Sequence, residues 1–273
     1  MERRIRCVAV LACLFINAIA LSQDVYYVTL VKGQVTRSNA ARVKVGDKLL
    51  ADEKLKFPSK ECRIIMLHPQ KGRFVLEATN VTPEATGEYL VYIKSNLNLN
   101  SQRLQLSSRG ASQAGLDDYF TANEAINENL LLIGDVKISL EPAGYRIADP
   151  VYDYFFLQYA DEKGKIFRNK LKVSNDTLYI HQNDFSFGGR EPISKHKVIP
   201  AFSQHSEKGE QVTYFHSFKP VFMTSEACRE IMRTVKLVVG EKKEKVISET
   251  MTQLYFNYGK PDKEALLEIY ESL

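Results

Sequence analysis

The chain has 273 residues, of which 44% are hydrophobic and 26% are charged, so it can bury one large core or two small ones. Its formal net charge of +4 falls to +2 if residues 1–20 are removed, because 34 basic residues then face 32 acidic ones. A nearly neutral chain gives no reason to expect nucleic acid or an anionic membrane as the main partner.

The first 23 residues, MERRIRCVAVLACLFINAIALSQ, have the three parts of a secretory signal. Three arginines precede an apolar run from Val8 to Ala20, which ends in small residues of the kind that a signal peptidase recognises. The run is shorter than the roughly 20 residues that a membrane span needs. We therefore expect residues 1–23 to be a cleaved signal peptide, and the protein to be exported to the periplasm or cell envelope. The alternative is a lipoprotein anchored through Cys13, because VLAC resembles a lipobox.

Residues 24–95 show the period of two that is typical of strands. VYYVTLV (Val25–Val31) is followed by KVGDKLL, EKLKF, CRIIMLH and RFVLEA, with turn sequences between them. Short apolar runs separated by turns predict a small antiparallel β-barrel or sandwich.

The order of these segments resembles that of FecR-like extracytoplasmic β-domains over residues 28–92. GQV (33–35) comes first, then VGDKL and EKLKF around a Gly46-Asp47 turn, and then the hairpin CRIIML…GRFVL. The resemblance implies a small SH3-like barrel. FecR-type signal transducers have a cytoplasmic segment and a membrane span before this domain, whereas a predicted cleavable signal precedes it here. A sigma-regulator role is therefore not expected.

A change in composition separates this region from the rest of the chain. Residues 96–118 are rich in Ser, Asn, Gln and Gly and predict a linker, and residues 119–273 predict an α+β domain. In that domain, VYDYFFLQYADEKGKIFRNKLKVSNDTLYI predicts three consecutive strands. The predicted fold class is mostly β and α+β overall: a small antiparallel barrel or sandwich, then a β-sheet domain with C-terminal helices.

The C-terminal helices are predicted from a change of period. Apolar residues take helical spacing from Thr224, with Thr224 or Ser225 as a natural cap, and the pattern resumes after Gly240. KPDKEALLEIYESL closes the chain, and Pro261 suits the first turn of a helix.

Catalytic and metal-binding motifs are hard to find in this sequence. It contains no G-x-S-x-G, P-loop, G-x-G-x-x-G or H-E-x-x-H motif. Cys228 lies at an apolar helical position, so a buried thiol is the preferred interpretation and a nucleophile the alternative. Cys62 is the other cysteine outside the signal, and the sequence leaves open whether the two form a disulfide.

The polar clusters do not favour catalysis either. His196, His205 and His216 match no compact metal-ligand spacing, so we expect no metal and no cofactor. Asp117-Asp118 and the pair Asp149 and Asp153 are the available carboxylate pairs for glycoside hydrolysis. Their settings predict a helix start and turns instead.

The remaining candidates are binding residues. In the second predicted strand, Arg168, Lys170 and Lys172 share one face, and the opposite face is apolar. Tyr152 and Tyr154 begin a neighbouring strand that is aromatic or apolar on both faces. A solvated sheet face and a buried central strand are the alternatives to a binding surface formed by these five residues.

The sequence therefore predicts an exported, non-catalytic binding or assembly module of the bacterial periplasm or cell envelope. Its expected partner is another envelope protein or a cell-surface component, with no nucleic acid and no transmembrane segment after signal cleavage. The alternative is a secreted hydrolase with its active site in the C-terminal domain.

Overall fold

A computed structural model describes residues 24–78, 81–85, 87–99, 116–120, 128–140, 145, 147–186, 196–206 and 209–273. The predicted signal peptide, Cys13 and most of the predicted linker lie outside these residues, so those predictions stay predictions. The contacts divide the chain into two compact units, Met1–Gln102 with Thr234–Val239, and Arg103–Arg233 with Gly240–Leu273. The predicted fold class is confirmed: the protein is mostly β, with several antiparallel sheets and C-terminal helices.

The N-terminal unit contains two antiparallel sheets. Its strands are β1 (Val25–Lys32), β2 (Thr36–Arg37), β3 (Lys48–Leu50), β4 (Lys54–Phe57), β5 (Arg63–His68), β6 (Gly72–Glu77), β7 (Tyr89–Tyr92) and β8 (Asn98–Leu99). The sheets have the orders β3-β1-β5-β6-β8 and β2-β4-β7, and a helical turn, Ile93–Asn96, follows β7. Buried residues of both sheets, such as Val28 and Phe57, belong to one core. Among the described residues, the two sheets share this core and do not close into a barrel.

An arginine joins the two turns of KVGDKLLADEKLKF. The Arg37 guanidinium lies 2.6 Å from a Glu53 carboxylate oxygen and 3.5 Å from an Asp47 oxygen. Asp47 also accepts a hydrogen bond from the Lys44 N–H, and Glu53 accepts one from the Leu50 N–H. Each carboxylate therefore closes its own turn with a backbone bond, while the shared cation holds the two turns together.

The described residues of the C-terminal unit form ten strands in three sheets. They are β9 (Asn129–Ile133), β10 (Val136–Ser139), β11 (Tyr154–Ala160), β12 (Ile166–Lys170), β13 (Lys172–Ser174), β14 (Thr177–Ile180), β15 (Ile199–Ser206), β16 (Gly209–Tyr214), β17 (Lys219–Met223) and β18 (Lys260–Pro261). Two sheets are antiparallel, with orders β10-β14-β13 and β12-β11-β15-β16. The third, β17-β9-β18, is parallel.

The three strands predicted between residues 151 and 180 are four in the structure. The predicted second strand divides at Leu171, where β12 ends and β13 joins another sheet. Leu171 is buried, and its N–H donates to the Phe155 carbonyl at 2.8 Å. Phe155 and Leu178, from different sheets, share one hydrophobic core with Leu171. Burial of this leucine explains why the chain passes from one sheet to the next here.

The parallel sheet was not predicted from the sequence. Its central strand, β9, is buried from Leu130 to Ile133, as expected for a strand covered on both faces. Gly259 precedes β18 with a φ of +113°, and a Cβ atom there would lie 2.4 Å from the Asn129 carbonyl oxygen. Only glycine allows the two backbones to approach this closely.

Three helices end the chain: α1 (Ser225–Val239), α2 (Lys243–Tyr258) and α3 (Lys263–Glu271). Thr224 caps α1 as predicted, accepting a hydrogen bond from the Ala227 N–H at 3.1 Å. The placement of Pro261 in a helical turn is wrong, because Pro261 pairs in β18 and Asp262 caps α3. Among the described residues, no helix is long and apolar enough to cross a membrane.

Candidate partner-binding surface

Cys62 and Cys228, the two cysteines among the described residues, are both buried. Cys228 is fully buried, and burial raises the pKa of its thiol to about 12, against a smaller opposing effect of the Arg229 charge. The thiol is therefore protonated at neutral pH, whereas a reactive cysteine needs the thiolate. Cys62 is also buried, and neither cysteine forms a disulfide. The interpretation of Cys228 as a buried helical residue thus fits the structure.

The histidines are held apart in separate surroundings. The His196 ring lies 5.7 Å from that of Tyr159, and the His205 ring lies 5.1 Å from that of Tyr152. His216 is exposed. Within the part of the chain that the structure describes, no three His, Cys, Asp or Glu side chains are placed to hold a metal ion.

The Asp149 and Asp153 carboxylates accept hydrogen bonds from backbone N–H groups. Asp149 accepts a hydrogen bond from the Val151 N–H at 2.8 Å. Asp153 is buried and accepts from the N–H groups of Ala148 at 3.0 Å, Asp149 at 3.2 Å and His205 at 3.1 Å. These backbone hydrogen bonds, above all that from His205, lower the pKa of Asp153 and keep it ionised. The Asp149 and Asp153 carboxylates therefore stabilise a loop and are not arranged as an acid–base pair. The side chains of Asp117 and Asp118 lie outside the described residues.

Three of the predicted binding residues, Tyr154, Arg168 and Lys170, fall on one face of the sheet β12-β11-β15-β16. Phe155, Leu157 and Tyr159 of β11 enter the core, so Tyr154, Phe156 and Gln158 lie on the opposite, outer face. The register pairs Phe156 with Lys170 and Gln158 with Arg168. Directly paired residues share a face. The two cations of β12 therefore lie on the outer face beside the aromatic residues of β11.

On the outer face, each of these cations lies over a ring. The Lys170 ammonium is 4.6 Å from the centre of the Tyr154 ring, and the Arg168 guanidinium is 4.9 Å from that of Phe156. The Arg168 Nε also donates to the Gln158 amide oxygen at 2.9 Å. We call Tyr152, Tyr154, Arg168 and Lys170 the basic–aromatic surface; Phe156 is itself buried, at 1% exposure, beneath the Arg168 guanidinium. Cation–π contacts of about 0.5–1 kcal/mol each fix the directions of its charges.

Negative charge is scarce around these cations. The segment KGKIFRNKLKVSN, residues 163–175, contains five basic residues and no acidic one. Among the described residues, no acidic side chain forms an ion pair with Arg168, Lys170 or Lys172. Within the described part of the chain, no ion pair with a carboxylate neutralises these three cations.

A loop before β11 completes the surface at one end. The three hydrogen bonds to Asp153 hold the loop against β15, and the Pro150 carbonyl accepts from the Lys170 ammonium at 2.6 Å. Val151 and Tyr152, at 67% and 53% exposure, project from this loop. The sequence did not reveal that Asp153 has this positioning role, because a single aspartate before a strand has many possible partners.

Lys172 departs from the predicted stripe. It lies in β13 of the neighbouring sheet, where its ammonium is 5.6 Å from the centre of the Tyr179 ring. Simple alternation along one strand places Lys172 beside Lys170, but the division at Leu171 puts the two in different sheets. The structure thus brings Arg168, Lys170 and Tyr154 together and leaves Lys172 apart.

Comparison with known proteins gives no relative from which a function could be transferred. No protein-family model, no curated protein and no solved structure matches the chain. The resemblance of residues 28–92 to FecR-like domains therefore stays a prediction.

Proposed function

We propose that the protein is an exported, non-catalytic binding module whose basic–aromatic surface binds an acidic segment of another envelope protein. The observation that carries the proposal is the pair Arg168 and Lys170, held over aromatic rings with no acidic partner among the described residues. Surface cations are common, but most are free to move and contribute little to recognition. Cations already held in place lose less side-chain entropy when a partner binds.

The spacing of the two cations suits an extended partner. Arg168 and Lys170 are two residues apart on β12, which corresponds to about 7 Å along a strand. Carboxylates on alternate residues of an extended acidic segment have the same spacing. Exposed Val151 and Tyr152 give that segment an apolar contact at the loop end of the surface.

The test replaces both cations of β12 by acidic residues. The variant Arg168→Glu/Lys170→Glu and the wild type are titrated with fluorescently labelled poly-L-glutamate, and binding is followed by anisotropy at low and high salt. We expect the variant to bind at least about tenfold more weakly at low salt, and the difference to shrink as salt screens the charges. Lys172→Glu is a separate arm and should have a smaller effect.

A matched control separates a local effect from that of total charge. Lys242→Glu/Lys245→Glu makes the same charge change at exposed positions at the start of α2. It should bind poly-L-glutamate nearly as well as the wild type. Equal weakening by the two double variants, with both folded by circular dichroism, would mean that only net charge matters and would refute the proposed surface.

Export is tested by the mature N-terminus. Mass spectrometry of protein from the envelope of the expressing bacterium should find a chain that begins between Leu21 and Asp24. Detection of a lipid-modified Cys13 would mean that the protein is a lipoprotein and not a soluble exported form.

A further inference from the structure

Strand β16 is the last strand of the sheet β12-β11-β15-β16. It pairs with β15 from Ser206↔Gly209 to Ala201↔Tyr214 in an unbroken antiparallel register. In the part of the chain that the structure describes, no strand pairs with its other side. Exposed residues lie on both of its faces: Glu210, Gln211, Thr213 and Tyr214.

The backbone groups at this open edge follow from one hydrogen bond. The Phe215 N–H donates to the Pro200 carbonyl at 2.9 Å, so odd-numbered residues of this segment face β15. In an antiparallel ladder, alternate residues turn their N–H and C=O groups to opposite sides. The groups at the open edge are therefore those of Glu210, Val212 and Tyr214.

Apart from the charge of Glu210, the usual protections of an edge strand are not found on β16 among the described residues. Natural edge strands avoid further pairing by proline, lysine, a bulge or a covering segment. The sequence GEQVTY contains neither proline nor lysine, and its register with β15 has no bulge. Within the described residues, the backbone groups of Glu210, Val212 and Tyr214 at this edge are thus without a partner strand.

We propose that β16 binds an extended peptide segment of a partner protein as a fifth strand of this sheet. Main-chain hydrogen bonds supply the affinity in this type of recognition, and alternate side chains supply the specificity. Glu210, Val212 and Tyr214 share one face, so the matching segment carries a basic residue, a β-branched residue and an apolar residue at alternate positions. One Glu210 oxygen accepts from the Ser203 hydroxyl at 2.8 Å, which orients the carboxylate.

The size of the edge favours a peptide over a second copy of the chain. Stable protein–protein interfaces use about 20–30 residues a side, whereas β16 offers 6. An added peptide strand needs no larger surface, because its contacts are the ladder itself. The inference is independent of the proposed function, because no residue of the basic–aromatic surface lies on β16.

The probe is the blocked peptide TVTITKT, which in the antiparallel register places its Lys opposite Glu210 and its Ile opposite Val212. Titration into the ¹⁵N-labelled full-length protein should shift the amide signals of β16, with a Kd below about 1 mM. Hydrogen exchange at the N–H groups of Glu210, Val212 and Tyr214 should slow on binding, because those groups become hydrogen-bonded.

Two controls separate strand addition from other binding. Val212→Pro removes an N–H at the open edge without removing a bond to β15, and proline is tolerated at such positions. Binding should fall at least about tenfold in Val212→Pro and persist in Val212→Thr, which keeps the N–H. The peptide N-methylated at its isoleucine should also fail to bind the wild type, which tests the same hydrogen bonds without any mutation.

Three results would overturn the inference. They are absence of amide shifts on β16, equal binding by Val212→Pro and Val212→Thr with no loss on N-methylation, and a dimer of the free protein that Val212→Pro abolishes. The last result, measured by analytical ultracentrifugation, would assign the edge to a second copy of the chain.

Discussion

Replacing Arg37 with methionine would remove a guanidinium that joins two turns, while keeping an unbranched side chain at that position. The guanidinium contacts Glu53 at 2.6 Å and Asp47 at 3.5 Å, and donates to the Lys48 carbonyl at 3.1 Å. None of these groups is fully buried: the Arg37 side chain is 26% exposed, and those of Glu53 and Asp47 are 24% and 32% exposed. The contacts are therefore partly screened by water.

The expected cost follows from these exposures. Partly exposed ion pairs contribute about 0.2–1 kcal/mol each, and the hydrogen bond to the carbonyl contributes about 1 kcal/mol. Because both carboxylates keep their backbone hydrogen bonds in the variant, no buried charge loses all its partners. We expect Arg37→Met to lower the free energy of unfolding by about 2 kcal/mol.

Urea unfolding of the full-length protein, followed by circular dichroism, measures this change. A double-mutant cycle with Glu53→Gln should give a coupling energy of about 0.5–1 kcal/mol, and it should decrease as salt is added. A loss below about 0.5 kcal/mol, or strictly additive single variants, would refute the argument that the shared cation holds the two turns together.

Three further outcomes are expected. Asp153→Asn should remove part of the pH dependence of the free energy of unfolding. Because the pKa of Asp153 is lowered in the folded protein, its ionised form stabilises the fold above the unfolded pKa near 4, and this stabilisation is lost as the pH falls through the lower folded pKa. Acid titration of unfolding measures the loss. Cys228 should resist iodoacetamide at pH 8 in the folded protein and react after unfolding, because burial raises its thiol pKa to about 12; rapid native labelling would contradict this. Gly259→Ala should cost at least about 2 kcal/mol, since its Cβ would meet the Asn129 carbonyl and φ is positive; an unchanged urea midpoint would contradict the close approach.

The strands that could be predicted are those whose side chains alternate. In β12, half-buried and exposed residues alternate, so a period of two was sufficient to place Arg168 and Lys170 on one face. The parallel sheet lacks such a local signal. Its central strand reads NLLLI, a run compatible with a buried strand or a helix, and its neighbours come from distant parts of the chain.

The parts of the site that could not be predicted depend on tertiary contacts. Lys172 lies apart from Arg168 and Lys170 because Leu171 is buried in a core that two sheets share. The alternation of side chains along one strand gives no sign of that core. Asp153 organises the loop through N–H groups that include His205, 52 residues away. The open edge of β16 likewise could not be predicted, because a single sequence does not show which strands pair with one another.

The parallel sheet also constrains when the C-terminal unit can finish folding. Leu130 of β9 pairs with Lys260, so a contact made by the sheet's central strand waits for a segment 130 residues later in the chain. Contacts of such long sequence separation close slowly, because the intervening chain must lose entropy before they form. Until Pro261 is synthesised, the edge of β9 that pairs with β18 has no partner strand, and the side chains of β9 are strongly apolar. During that interval we expect a chaperone to bind the nascent chain. Truncation between α1 and β18 is expected to leave an aggregation-prone product rather than a smaller folded one.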